Sequence, residues 1–228
     1  MCGRYTIRID WRRVHDLYGL TVPVEPAPEG IGARYNAAPG QKLPIIGENG
    51  DRRSLIASRW GMIPPWVASL SEIKISTINA RAETLDGSRL YGEPWRRRRC
   101  LVPADGWYEW SAPPAGEKQK PVHFIERPES RPFAFAGLWS LWRDGDGNAI
   151  VSHAIVTTEA VPELAPLHPR MPVVLDAADF DAWLRAETPP HALLRPHPGP
   201  WRFHRVDNRV GKVSEDDAGL TTALAAAS

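Results

Sequence analysis

Two cysteines, Cys2 and Cys100, in 228 residues are too few for a disulfide framework, and the first residues carry no apolar run of the kind a secretory signal requires. No stretch approaches the roughly 18 consecutive apolar residues that cross a bilayer as a helix, so membrane insertion is not expected. Lysine is scarce too. Only 42, 74, 118, 120 and 212 are lysine among 28 cationic residues, which leaves 23 arginines. A net charge of +1 argues against a strongly polybasic binder. His191, His197 and His204 lack compact metal-ligand spacing, and neither a metal nor an organic cofactor is suggested. No internal repeat is visible. These absences point to a reduced, cytoplasmic chain. The arginine excess suits bidentate phosphate contacts, but a GC-rich genome gives the same bias, so composition permits nucleic acid without demanding it.

What is present reads as a β-rich α+β single domain, with antiparallel sheets folded around each other in a barrel-like way and a few short helices. Short apolar or alternating runs at 43–46, 54–60, 100–102, 107–110, 122–125, 133–138, 149–157 and 171–175 predict strands. Gly145-Asp146-Gly147-Asn148 predicts a hairpin turn. Helical periodicity covers 10–18, with Asp10 as cap, and 176–185, with a shorter helix expected over 82–90 and a helical turn over 158–164. The 23 prolines favour many loops. The alanine-rich end, from about 213 to 228, reads as a flexible tail.

Cys2 is the most informative residue. A small second residue normally lets methionine aminopeptidase remove Met1, and a chain starting with cysteine carries a thiol and a primary amine on adjacent carbons. Their reference pKa values are about 8.5 and about 7.7 to 8.0, so both nucleophiles are accessible near neutral pH. Such a terminus serves acyl transfer, where the amine is base for its own thiol, or aldehyde capture, where an imine closes to a thiazolidine. Position alone leaves chance as the alternative.

Other constellations carry chemistry only in combination. Asn79-Ala80-Arg81-Ala82-Glu83 places an amide and a guanidinium at the end of the stretch 73–78; an Asx cap with an Arg81–Glu83 ion pair is the bland reading. In Trp107-Tyr108-Glu109-Trp110, alternation sends Trp107 and Glu109 to one face and Tyr108 and Trp110 to the other. A carboxyl against aromatic walls is poorly solvated and shuttles protons near neutral pH, whereas an edge-strand carboxylate paired with an arginine would not. His168 and Arg170 sit in a proline-bounded turn, where a solvated histidine is equally ordinary. Trp66, after two prolines, offers a platform for stacking bases. Arg96 to Arg99 reads by default as a solvated face.

Taken together, seven ordered blocks resemble the SOS-response-associated peptidase (SRAP) family: 1–5 (Met-Cys-Gly-Arg-Tyr), 34–39 (Arg-Tyr-Asn-Ala-Ala-Pro), Trp60-Gly61, 79–84, 100–110, 136–139 (Ala-Gly-Leu-Trp) and 168–173. The resemblance implies a domain over 2–212 that crosslinks covalently to abasic sites in single-stranded DNA, shielding them during replication. Replication-fork proteins are compatible partners that the sequence does not specify. By that resemblance, Cys2 is the crosslinking nucleophile, Asn79 the amide beside it, Glu109 the acid/base carboxylate and His168 the pocket histidine. Arg4, Arg81 and Arg170 would hold phosphates, Trp66 would stack a base, and Trp110, Arg89 and Thr157 would complete the DNA-binding set. An older proposal of peptidase activity travels with the family, and an imine at C1′ also permits β-elimination, so lyase activity is a further expectation. Pro169 stands where many relatives have Asp, and Val67 where some have a second tryptophan. Two other classes stay open: an amide hydrolase with an N-terminal cysteine nucleophile, and a DNA reader that forms no covalent bond.

Overall fold

The computed structural model describes residues 2–9, 11–22, 32–116 and 118–225. In chain order its elements are β1 (Tyr5–Ile7), α1 (Trp11–Tyr18), β2 (Arg34–Ala37), β3 (Lys42–Asn49), β4 (Arg52–Trp60), β5 (Asn79–Arg81), α2 (Gly92–Arg97), β6 (Arg99–Ala104), β7 (Gly106–Trp110), β8 (Val122–Glu126), β9 (Phe133–Arg143), β10 (Ala149–Glu159), β11 (Arg170–Pro172), β12 (Val174–Leu175), α3 (Phe180–Arg185) and β13 (Arg202–Val206). Five of them close on themselves. β3 pairs antiparallel with β4 and β6, β6 with β9 and β9 with β10, and a parallel β10–β4 pairing completes the ring. Closure leaves these five strands flanked on both sides, so backbone groups pair all the way round. A second sheet, ordered β13-β8-β7-β1-β2, lies beside the barrel.

The main core fills the barrel and the space between the sheets, with Trp60, Trp95, Trp107 and Trp183 wholly or almost wholly buried. A smaller cluster of Tyr108, Val122, Phe124, Val206, Val210 and Leu220 covers the other face of the second sheet. Trp107 and Tyr108 thus point to opposite cores, as strand alternation requires. Close approach explains the glycine in the 136–139 block: a Cβ on Gly137 would lie 2.7 Å from Cys100 Sγ, so β6 and β9 could not keep their register with any larger residue. Asp105 fastens β1 to the turn between β6 and β7, accepting from Thr6 Oγ1 and, at 2.5 Å, from the Arg8 N–H.

Several elements differ from the sequence reading. The helix expected over 82–90 is a single 3-10 turn at Ala82–Thr84, and the α-helix starts later, at Gly92. Pro94 fits there because the first turn of a helix has no intrahelical use for its N–H. The basic run beyond it is only partly a solvated face. Arg99 is buried and donates to the carbonyls of Trp95 and Arg96 at 3.0 Å and Trp183 at 2.6 Å, tying the end of α2 to α3. The helical turn expected over 158–164 forms further on: β10 runs on to Glu159, Leu164 N–H and Ala165 N–H donate to Val161 O, and His168 N–H to Leu164 O continues the loop that presents His168. Asp10, the expected cap of α1, lies outside the described residues. The segment read as a frayed tail is packed as far as Leu220, and 222–225 are exposed. Asp216 accepts from Tyr35 N–H at 2.6 Å and Asn36 N–H at 2.9 Å and pairs with Arg34, while Leu220 is fully buried. The hairpin at 145–148 forms as expected, with Asp144 accepting from the N–H groups of Asp146 and Asn148.

Candidate active site

Cys2 lies three residues before the start of β1, and β1 lies between β2 and β7. Tyr5 faces Trp107, and Tyr108 N–H donates to Arg4 O at 3.0 Å. Antiparallel pairing therefore brings Glu109 alongside the chain start. Cys2 is 0% and Glu109 3% exposed. Burial pushes the Glu109 carboxyl up to about 7, with the positive chain terminus pulling the other way. It also pushes the Cys2 thiol well above its ordinary range, and the charge on Glu109 adds to that. β7 is an interior strand, flanked by β1 and β8, so Glu109 is not an edge carboxylate.

Asn79 comes from the opposite side. It opens β5 rather than following a strand over 73–78, and β5 runs parallel to β10 with Asn79 beside Ile155. Trp60 holds this approach by donating its indole N–H to Ile78 O at 3.0 Å. The Asn79 Nδ2 donates to Cys2 O at 2.9 Å, whereas its Oδ1 is buried with no hydrogen-bond partner among the described residues. Tyr91, just ahead of α2, donates its hydroxyl to Asn79 O at 3.2 Å. Nothing in its sequence context marks Tyr91; its role follows from the turn between 84 and 92.

His168 Nδ1 lies 3.0 Å from the Arg170 N–H and 3.1 Å from the Arg170 carbonyl oxygen, so the backbone of Arg170 fixes the ring's orientation. Burial, then the positive chain terminus, hold its pKa below the ordinary histidine value, so it is neutral at pH 7. Arg170 is not an open cation: its guanidinium grips both carboxylate oxygens of Glu83 at 2.7 and 2.9 Å and donates to Thr157 O at 2.7 Å. Glu83 thus pairs with Arg170 and not with Arg81, and that bond holds its carboxyl below the usual range. Arg81 is exposed and makes no ion pair among the described residues. Thr157 is buried, its hydroxyl directed to Ala80 O at 3.4 Å.

Arg4 donates to Gly3 O at 2.9 Å and to Gly211 O at 3.5 Å, and partial burial lowers its pKa. Trp66 is 45% exposed, and the Arg89 guanidinium lies 4.4 Å from the centre of its ring. This is a cation–π pair open to solvent. Trp110 is half-buried against the smaller core, on the other face of β7 from Glu109. The structure therefore gathers Cys2, Asn79 and Glu109 directly, with His168, Thr157 and Arg170 joined through β10 and β11. Trp66 and Arg89 form a separate pair. No helix is long and apolar enough to cross a membrane among the described residues.

The family model described as SOS response associated peptidase (SRAP) matches residues 1–213. The Bacillus subtilis protein named abasic site processing protein YoqW is 35% identical over 202 residues, covering 86% of this chain and 88% of its own. Abasic site processing protein YoaM of the same organism is 35% identical with 98% of both chains covered, and YedK of Escherichia coli, bearing the same description, is 34% identical over 192 residues. A crystal structure of a Bacteroides thetaiotaomicron protein matches 98% of the chain with a TM-score of 0.84 at 23% identity, and one from Bordetella bronchiseptica matches 90% with a TM-score of 0.75 at 26%. By the extent of the family match and the identity to these relatives, the chain belongs to the SOS response associated peptidase (SRAP) family.

Proposed function

We propose that this protein loses Met1 and uses the freed Cys2 to form a thiazolidine crosslink with abasic sites in single-stranded DNA, shielding the lesion. The observation that carries the reading is the convergence on Cys2 of a buried carboxyl with a pKa of about 7 and an amide that grips the Cys2 carbonyl. The names of its relatives supply the substrate. On this reading the protein is cytoplasmic and joins the nucleoid when bound to DNA.

A ring-opened abasic deoxyribose presents an aldehyde at C1′. The Cys2 amine adds to it and loses water, giving an iminium; the sulfur then adds to the same carbon. Glu109 serves both halves, delivering a proton for dehydration and taking the thiol proton at closure, because a carboxyl with a pKa near the working pH populates both forms. Asn79 fixes the first residue so that amine and aldehyde meet in a productive pose. His168, its ring oriented by the Arg170 backbone, is the candidate donor for the sugar oxygen. Arg4, Arg81 and Arg170 neutralise phosphates, each adding about 0.7 to the salt dependence of single-strand binding, while Trp66 stacks a base and Arg89 and Trp110 border the strand.

Acyl transfer is less well served. It needs donors aimed at a developing oxyanion, and the amide nearest the thiol is committed to the protein's own Cys2 carbonyl. The test is incubation of untagged protein with an abasic single-stranded oligonucleotide, followed by a denaturing gel. A shifted band, lost when an uncleaved tag precedes Cys2, is the expected result; a band that survives the tag, or none from processed protein, rejects the mechanism.

A further inference from the structure

Tyr5 carries a hydroxyl that the fold does not use. Its ring is set edge-on against Trp60 and Phe135, with centroids 5.1 and 5.7 Å away, and the residue is completely buried. The hydroxyl oxygen has no hydrogen-bond partner among the described residues. Other tyrosines of this chain are satisfied: Tyr18 donates to Phe133 O at 2.7 Å, Tyr91 to Asn79 O at 3.2 Å and Tyr108 to Tyr35 O at 2.8 Å. A buried donor left unmet is destabilising, and phenylalanine at the same place would fill the same space without that penalty.

The surroundings suggest what the hydroxyl is for. Tyr5 stands three residues from Cys2 on the same short segment, and both belong to the main core cluster together with Cys100. Burial raises the Tyr5 phenol pKa most, and charge on Cys2, then on Cys100 and Tyr18, adds to it, so the hydroxyl lies within electrostatic reach of the Cys2 sulfur. The Cys2 Sγ faces Arg4 O at 3.9 Å, an acceptor suited to S–H and unfavourable to a bare thiolate. Burial and the Glu109 charge disfavour the thiolate further. An anionic sulfur in this place needs a donor.

We propose that the Tyr5 hydroxyl is that donor, stabilising the Cys2 sulfur as it gives up its proton during ring closure. The inference rests on the crosslinking reading above. In the step concerned, the thiol proton passes to the Glu109 carboxylate, the sulfur electron pair forms the S–C1′ bond, and the iminium π pair returns to nitrogen. Tyr5 keeps its proton throughout and supplies only a charge-assisted hydrogen bond.

Tyr5→Phe tests this in the untagged full chain. The expected variant melts no lower than wild type and forms the borohydride-trappable imine at the wild-type rate. Its denaturant-stable adduct forms about 10- to 100-fold more slowly, the range of a hydrogen bond to a charged group. Wild-type adduct kinetics, equal slowing of both steps, or a variant that is destabilised or unfolded each assign the hydroxyl no part in closure and overturn the proposal. If wild-type protein forms no adduct at all, the crosslinking reading itself fails, an outcome separable from the failure of Tyr5 alone.

Discussion

Asn79 donates to the carbonyl of Cys2 across a 77-residue separation in sequence, at 2.9 Å. A parallel strand pair, β5 on β10, thereby determines where Cys2 sits, three residues ahead of β1. Asn79→Ala leaves that acceptor and its neighbourhood unmet, a loss of about 1 to 3 kcal/mol, and misplaces the reacting amine. Adduct formation should slow at least tenfold while affinity for unmodified single-stranded DNA stays within about twofold. Single-turnover gels beside fluorescence anisotropy check both, and an equal loss in the two assays would make Asn79 a DNA ligand instead.

Glu109 ties stability to pH. Its folded pKa of about 7 lies above the ordinary value of 4.5, so the folded state holds a proton that the unfolded chain releases between those values. Stability from this group is complete below about 4.5 and declines as pH rises to about 7, by up to roughly 3 kcal/mol. Glu109→Gln keeps a neutral side chain, so it should melt higher than wild type at pH 8 and nearly alike at pH 4.5, while forming adduct about 100- to 10,000-fold more slowly. Parallel melting curves at every pH would reject the buried-carboxyl account.

On the proposed reading, Arg170 must choose between Glu83 and a phosphate. Its two guanidinium nitrogens are already matched to the carboxylate oxygens at 2.7 and 2.9 Å, so DNA binding through Arg170 competes with that pair. Glu83→Gln should tighten single-strand binding and steepen its salt dependence, by up to about 0.7 in the logarithmic slope. An unchanged slope in a salt titration would show that Arg170 reaches no phosphate and braces β10 against the 82–84 turn.

The C-terminal segment should behave as part of the fold. Leu220→Ala empties a fully buried site and is expected to destabilise by about 2 to 5 kcal/mol. Removing residues from 216 onward also strips Tyr35 and Asn36 of their Asp216 acceptor. A truncated protein with an unaltered urea midpoint would restore the tail reading.

Long strands were legible because alternation over several residues shows which face is buried; β9 and β10 extend past the predicted limits without changing place. β1, β2 and β5 are only three or four residues long, below the length at which a period can be recognised, yet β1 and β5 position the site. Cys2, Asn79 and Glu109 stood out through unusual residue types in unusual contexts. The Glu83–Arg170 pair did not, because an ion pair between residues 87 apart leaves no local signature, and the sequence favoured Arg81. The packed C-terminal segment escaped notice for the same reason: Asp216 finds its partners on β2.

Arg4 hydrogen-bonds to Gly211, and the strand that flanks β1 on its other side is β7, made a hundred residues after it. The groups that enclose Cys2 are therefore synthesised well after Cys2 itself. On the proposed reading, the aminopeptidase meets the chain start on the ribosome before those groups exist, so processing precedes assembly of the site.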